Sequence, residues 1–311
     1  VRILYVIYAL AIGASCLAAL AQNAAPAEAG KLLEAAHSFE AVLASDPGNL
    51  QAREGEVAAS EALALEQRAA GRKDDALRTL LQAQQYVPDS PRLLYDLGVL
   101  EDEMKLYLDA DRTLARLGRL GPESPDALYA EARVKLDLGQ PGPAEDKMLA
   151  YLKLRPDDAG AQYGLGRAYQ LEQKFDQARR AFERSIELQP VQTEAYYELG
   201  DMALGDRQFD ASIAYFRKVL TRDPKHGGAL VGMGRVCFEQ KQYAQAEGFL
   251  KQAAAVAPEY QAAHYYLGLT LAREGHREES QRELELAVKL ASVQSTKDRG
   301  LRLNTTSTYP K

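Results

Sequence analysis

Ala159–Gln192, AGAQYGLGRAYQLEQKFDQARRAFERSIELQPVQ, decides the fold, because its residue types recur at the same offsets on both sides of it. With Ala159 as position 1, Pro190 falls at position 32, and the same 34-residue ruler lands on Pro88, Pro122, Pro156, Pro224 and Pro258. Position 8 is small throughout: Ala64, Gly98, Ala132, Gly166, Gly200, Gly234 and Gly268. Position 20, expected to face it across a helix pair, reads Ala76, Ala110, Ala144, Ala178, Ser212, Ala246 and Ser280. Position 24 supplies a large apolar partner in Leu80, Leu114, Met148, Phe182, Phe216, Leu250 and Leu284. Apolar spacing by threes and fours within each half predicts two amphipathic helices per period, and the proline ends the second.

From Val57 to Gln294 this pattern resembles the tetratricopeptide repeat family in period, small residues and closing proline. The resemblance implies an all-α, right-handed α-solenoid of helix-turn-helix repeats, each burying its faces against its neighbours. Seven repeats start at Val57, Pro91, Pro125, Ala159, Thr193, Gly227 and Gln261. The Pro125 repeat is the weak one, with Glu131 and Lys135 at positions 7 and 11, where apolar residues belong. Four residues apart, those two are expected to pair along one helix, with Pro141-Gly142-Pro143 in the turn, making a hinge or a docking seam.

Outside the repeats the chain reads in three pieces. Residues 1–21 are an apolar run behind Arg2 that ends in Ala19-Leu20-Ala21, the form of a signal-peptidase site, so export to the periplasm or the exterior is expected. The alternative is a membrane anchor over residues 3–21, about long enough to span a bilayer; a lipoprotein site at Cys16 is a poorer match. Residues 22–48 read as a linker and a capping helix with Leu32, Leu33, Ala36, Phe39, Val42 and Leu43 on one face. The repeat region 49–294 opens with an extended helix from Asn49 to Ala70, whose extra turns carry Arg53, Glu54 and Glu56 as a solvated surface. Residues 295–311 lose the helical period and read as a disordered tail, leaving the apolar face around Leu284, Ala287 and Val288 for the tail or a second subunit.

Composition excludes more than it assigns. A net charge of −6 over 311 residues argues against a nucleic-acid partner, which would require a basic face. The four histidines, His37, His226, His264 and His276, share no metal-binding spacing, and no glycine-rich loop follows a strand, so no metal, no cofactor and no catalytic residue is expected. Cys237, at position 11 of its repeat, reads as a small core hydrophobe.

In the family, the first helix of each repeat lines a concave groove, and the resemblance implies that positions 2, 5, 9, 12 and 13 point into it. Position 5 reads Tyr95, Tyr129, Tyr163, Tyr197, Val231 and Tyr265, and position 9 adds Arg133, Arg167 and Arg235, with Asp201 interrupting the series. Tyrosine rings and guanidiniums suit a peptide or protein ligand. Tyrosine is also habitual at position 5 of this family, and Asp102, Asp126, Asp137 or Glu194 are placed to occupy the arginines, so both readings stand. The family's lysine and asparagine clamp for chaperone C-termini is absent. The expected function is a non-enzymatic protein-binding scaffold for assembly of a complex; the alternative is a membrane-anchored subunit that forms homo-oligomers through its C-terminal face.

Overall fold

The computed structural model describes residues 26–121 and 124–303; residues 1–25, 122–123 and 304–311 lie outside it. Among the described residues there are fifteen helices and no strand. The chain divides into two compact units, Val1–Tyr151 and Leu152–Lys311, with the division inside the Pro125 repeat.

In the first unit α1 (Pro26–Ser45), α2 (Leu50–Ala69), α3 (Lys73–Tyr86), α4 (Pro91–Glu103), α5 (Tyr107–Gly118) and α6 (Pro125–Asp137) pack each against the next, and α7 (Pro141–Leu154) carries the chain across the division. In the second, the same succession runs through α8 (Ala159–Leu171), α9 (Phe175–Leu188), α10 (Thr193–Gly205), α11 (Phe209–Arg222), α12 (Gly227–Glu239), α13 (Tyr243–Val256), α14 (Gln261–Glu274) and α15 (Arg277–Leu303). Within each unit the chain is therefore an all-α solenoid of helix pairs. First helices of successive repeats also touch: α2 with α4 and α4 with α6, then α10 with α12 and α12 with α14.

Each pair closes on the position 8 contact. A Cβ placed on Gly166 would lie 2.5 Å from the Phe182 ring, and one on Gly200 would lie 2.7 Å from Phe216. Both rings are fully buried. Where position 20 is serine its hydroxyl is not stranded: Ser212 Oγ donates to the Gly200 carbonyl and Ser280 Oγ to that of Gly268, each at 2.8 Å. Helix starts follow the same ruler. Position 34 accepts from the backbone N–H three residues on in Ser90, Ser124 and Asp158, the preferred cap chemistry. Cys237 is buried, and burial raises its thiol pKa.

The turns hold a feature that the residue types do not announce. Position 15 has positive φ in all seven repeats: Gly71, Gly139 and Gly275, but also Lys105 (63°), Gln173 (61°), Arg207 (59°) and Lys241 (61°). The next N–H always reaches back to the position 11 carbonyl, as in Lys174 N–H to Tyr169 O at 2.8 Å and Gln208 N–H to Ala203 O at 2.8 Å. This is the Schellman closure of a helix. Four repeats make it with a side chain that left-handed backbone disfavours.

Several expectations are corrected. Glu56 is not on a solvated surface: it is fully buried, its Oε1 accepting from Ser60 Oγ at 2.9 Å, because α1 packs over the start of α2. Arg53 is half-buried, whereas on α1 Leu33 and Val42 are exposed and Ala36, Phe39 and Leu43 form the buried face. Glu131 and Lys135 form cross-helix ion pairs, with Lys147 on α7 and Asp111 on α5, both at 2.7 Å, since position 7 and position 11 side chains point at neighbouring helices. Pro141 opens α7 instead of sitting in the turn, as proline suits the first helical turn. The tail expectation fails over 295–303, where α15 continues to Leu303. Loss of apolar period removes a buried face but does not stop a helix already nucleated. Along α15, Ala287 is buried, and Val288 is exposed beside a cleft lined by Ala272, Ser280 and Leu284.

Two outcomes follow from these turns and this core. Gln173→Gly is expected to raise stability by about 1 kcal/mol and Gly275→Ala to lower it by about as much, read by urea unfolding, as left-handed backbone favours glycine. Glu56 is pushed up to about 7 from an ordinary 4.5, by burial first, with the Ser60 bond opposing and the Glu40 charge adding. Its folded form therefore holds a proton that the unfolded chain releases near pH 4.5, so its contribution is full below that value and is lost as pH rises through 7. Wild type should lose on the order of 2 kcal/mol from this group between pH 5 and 8, and Glu56→Gln should flatten the curve. Parallel pH curves for the two proteins would contradict the burial of this carboxyl.

Candidate functional site

The position 5 side chains are rooted in the core and reach toward the first-helix face. In the first unit, Tyr95 on α4 is half-buried against Ala110, Leu114, Ala130 and Val134. Its hydroxyl pKa is raised by burial first, then by Asp126 and Asp96, with Arg133 and Arg68 opposing. Tyr129 on α6 packs its ring 5.2 Å from that of Tyr151, tilted by 44°. Arg133 is exposed but reaches back to Asp102 Oδ2 at 2.9 Å, one of the acids expected to occupy the arginines. Asp102 is itself buried, and that burial raises its carboxyl against the pull of Arg133, with Asp137 adding to the rise.

The second unit brings its residues closer together. Tyr163 on α8 sets its ring 5.7 Å from Phe182, and Tyr197 on α10 sets its ring 6.1 Å from Phe216 and 5.2 Å from the His226 imidazole. Both phenols are raised, chiefly by burial; for Tyr197 the neighbouring Tyr260 and Asp201 add to the rise. Arg167 Nη1 donates to the Tyr163 hydroxyl at 3.3 Å and lies 3.8 Å from Glu198 Oε1, whose other oxygen accepts from Gln170 Nε2 at 3.0 Å. Arg235 on α12 pairs with Asp201 at 2.7 Å, one repeat away, and lies over the Tyr266 ring at 5.2 Å. Tyr265 on α14 is 42% exposed and meets Tyr266 edge-on at 5.2 Å. Val231 is buried, so the tyrosine series is broken at α12.

Among the five position 5 tyrosines Tyr265 alone is exposed; Tyr95, Tyr129, Tyr163 and Tyr197 are half-buried. Tyr163 with Arg167 is an expected pair that the fold joins directly. Arg133 and Arg235 turn to carboxylates on the neighbouring first helix.

An acidic side of this face was missed. Glu61, at position 5 of the Val57 repeat, accepts from Arg92, yet burial outweighs that attraction and pushes its carboxyl up to about 7. Asp96 is likewise raised by burial, against Arg68 and Arg92. The ruler that finds the tyrosines also finds Glu61 at position 5, Asp96 at position 6 and Asp102 at position 12, but attention to one residue type passes over them.

Two family profiles, both described as tetratricopeptide repeat, match the chain: one over residues 61–125, 129–173 and 171–227, the other over residues 203–264. Together they span more than half of it. Among solved structures, a tetratricopeptide repeat protein from Parabacteroides merdae is similar at 21% identity, over 79% of this chain and 94% of that one, with a TM-score of 0.56. MamA from Desulfovibrio magneticus is similar at 22% identity over 55% of this chain and 96% of that one, with a TM-score of 0.51. YrrB, described as having an unusual peptide-binding site, is similar at 20% identity over 63% of this chain and 97% of that one, with a TM-score of 0.50. At these identities the likeness establishes the fold. No curated protein sequence matches the chain.

Proposed function

From the membership of this chain in the tetratricopeptide repeat family, we propose that it is a non-catalytic scaffold gripping an extended peptide or protein segment on its first-helix face. The observation that carries this reading is the α8–α10 arrangement: the half-buried Tyr163 ring with its hydroxyl bonded to the Arg167 guanidinium at 3.3 Å, beside Glu198 of the next repeat. The Arg167 side chain stays 42% exposed. A part-exposed guanidinium can bind a ligand carboxylate in a charge-assisted pair, and the ring beside it adds apolar contact. The half-buried rings are already immobile, so little side-chain entropy is lost on binding. The resulting surface favours a ligand with an apolar residue flanked by an acid.

Export is part of the same proposal, supported by the apolar run ahead of Ala19-Leu20-Ala21. That run lies outside the described residues, and among those described no helix is long and apolar enough to cross a membrane. Assembly of an extracytoplasmic complex is the setting that this address would give.

The test is a pull-down from the native host followed by titration of the captured partner. Tyr163→Ala with Arg167→Ala should weaken binding by about 2 kcal/mol or more with helical content unchanged, as truncation at a hot spot does. The arginine share should shrink as salt rises. Arg179→Ala with Arg180→Ala on α9 is the control; there Arg179 pairs with Asp206 and Arg180 with the Asp176 carbonyl. If the α9 double variant loses the partner while the α8 variant keeps it, the first-helix face is not the binding surface.

A further inference from the structure

In the second unit, three separate segments bring metal-competent atoms to one place. Glu247 comes from α13, Glu274 from the last turn of α14, and His276 from the turn into α15; one ligand atom from each lies within 4.8 Å of the other two. No sequence spacing announces this trio, because the packing of α13 against α14 creates it. The turn is fixed by the left-handed Gly275 (φ 88°) and by the His276 N–H donating to the Leu271 carbonyl at 2.9 Å. That geometry holds the histidine two residues beyond Glu274, outside the helix.

The electrostatics ask for a cation. Glu274 Oε2 is shielded from solvent and has no hydrogen-bond donor, a costly state for a carboxylate oxygen. A buried polar atom of this kind calls for an unseen partner. Lys251 Nζ sits 2.7 Å from Glu247 Oε1, with its side chain 57% exposed. This lysine satisfies Glu247 and leaves Glu274 Oε2 without a donor.

We propose that Glu247, Glu274 and His276 form a divalent transition-metal site, with Zn²⁺ as its best-matched occupant. One imidazole nitrogen with two carboxylate oxygens suits Zn²⁺, whereas Mg²⁺ and Ca²⁺ favour all-oxygen sites. Metal–ligand bonds of about 2.0–2.2 Å set donors roughly 3.3 Å apart, so the trio must close inward. Rotation about the glutamate side-chain bonds and the exposed His276 ring supplies that movement. Lys251 swings into solvent as Zn²⁺ takes its carboxylate, and water completes the coordination. Once bound, the ion ties α13 to the turn that launches α15 and pins the terminal helix to the preceding repeat.

The experiment uses the untagged full chain, with ZnCl₂ and MgCl₂ as probes, calorimetric titration for binding and thermal unfolding for stability. One Zn²⁺ per chain should bind and raise Tm, with no response to Mg²⁺. Glu274→Gln and His276→Ala should each weaken Zn²⁺ binding about tenfold or more, a loss of the size that ligand-shell changes produce. Lys251→Ala should tighten it by removing the resident cation, an effect that casual surface binding would not show. No saturable Zn²⁺ binding, an equal response to Mg²⁺, or unchanged Zn²⁺ affinity in a Glu274→Gln, His276→Ala double variant overturns the proposal.

Discussion

The contact between a residue with little or no side chain at position 8 and a large one at position 24 is the constraint on which the rest of each helix pair depends. The Gly166 backbone lies against the Phe182 ring so closely that one added carbon would overlap it, and the same holds for Gly200 with Phe216 and Gly234 with Leu250. Overpacking such a contact costs about 1–3 kcal/mol, a large share of a marginal stability. Close approach in turn requires a small residue at position 20. Where that residue is Ser212, the hydroxyl bonds to the carbonyl at position 200, which keeps a buried polar atom satisfied without widening the gap.

The proposed binding face is tied to the same contact. Tyr163 leans on Phe182 and Tyr197 leans on Phe216, the very rings that close their helix pairs. Core packing therefore fixes where the phenols emerge, and the guanidinium one turn along from Tyr163 inherits that position. The layer proposed to carry recognition keeps one frame while its charges differ from repeat to repeat. The acidic group of Glu61, Asp96 and Asp102 in the first unit and the Arg167–Glu198 and Asp201–Arg235 pairs in the second are variations laid on one frame.

Helix pairs, their order and the position 8 contact were legible because steric demand repeats and leaves the same residue types at the same offsets. Tyr163 with Arg167 was legible for a similar reason, since residues four apart on a helix share a face. Other features arise from packing between segments, which no single period records. Glu56 reads as polar surface until α1 covers it, and Glu131 reads as a misfit until Lys147 reaches it from α7. The left-handed residue at position 15 was hidden because lysine, glutamine and arginine occupy it more often than glycine does; its signature is the backbone bond to position 11, not a residue type. The convergence of Glu247, Glu274 and His276 was illegible for the same reason, being made by two helices and a turn.

The central claim is that positions 8 and 24 are one interaction, and a double-mutant cycle at Gly200 and Phe216 measures it. Gly200→Leu alone overpacks the contact, and Phe216→Ala alone leaves a cavity whose cost is typically about 3–5 kcal/mol. Combined, the leucine fills the space the ring vacates. Urea unfolding of the double variant is predicted to show a loss smaller than the sum of the single losses by at least about 1 kcal/mol, the coupling expected of residues in direct contact. Additive losses would contradict the contact on which the helix pairs are said to close.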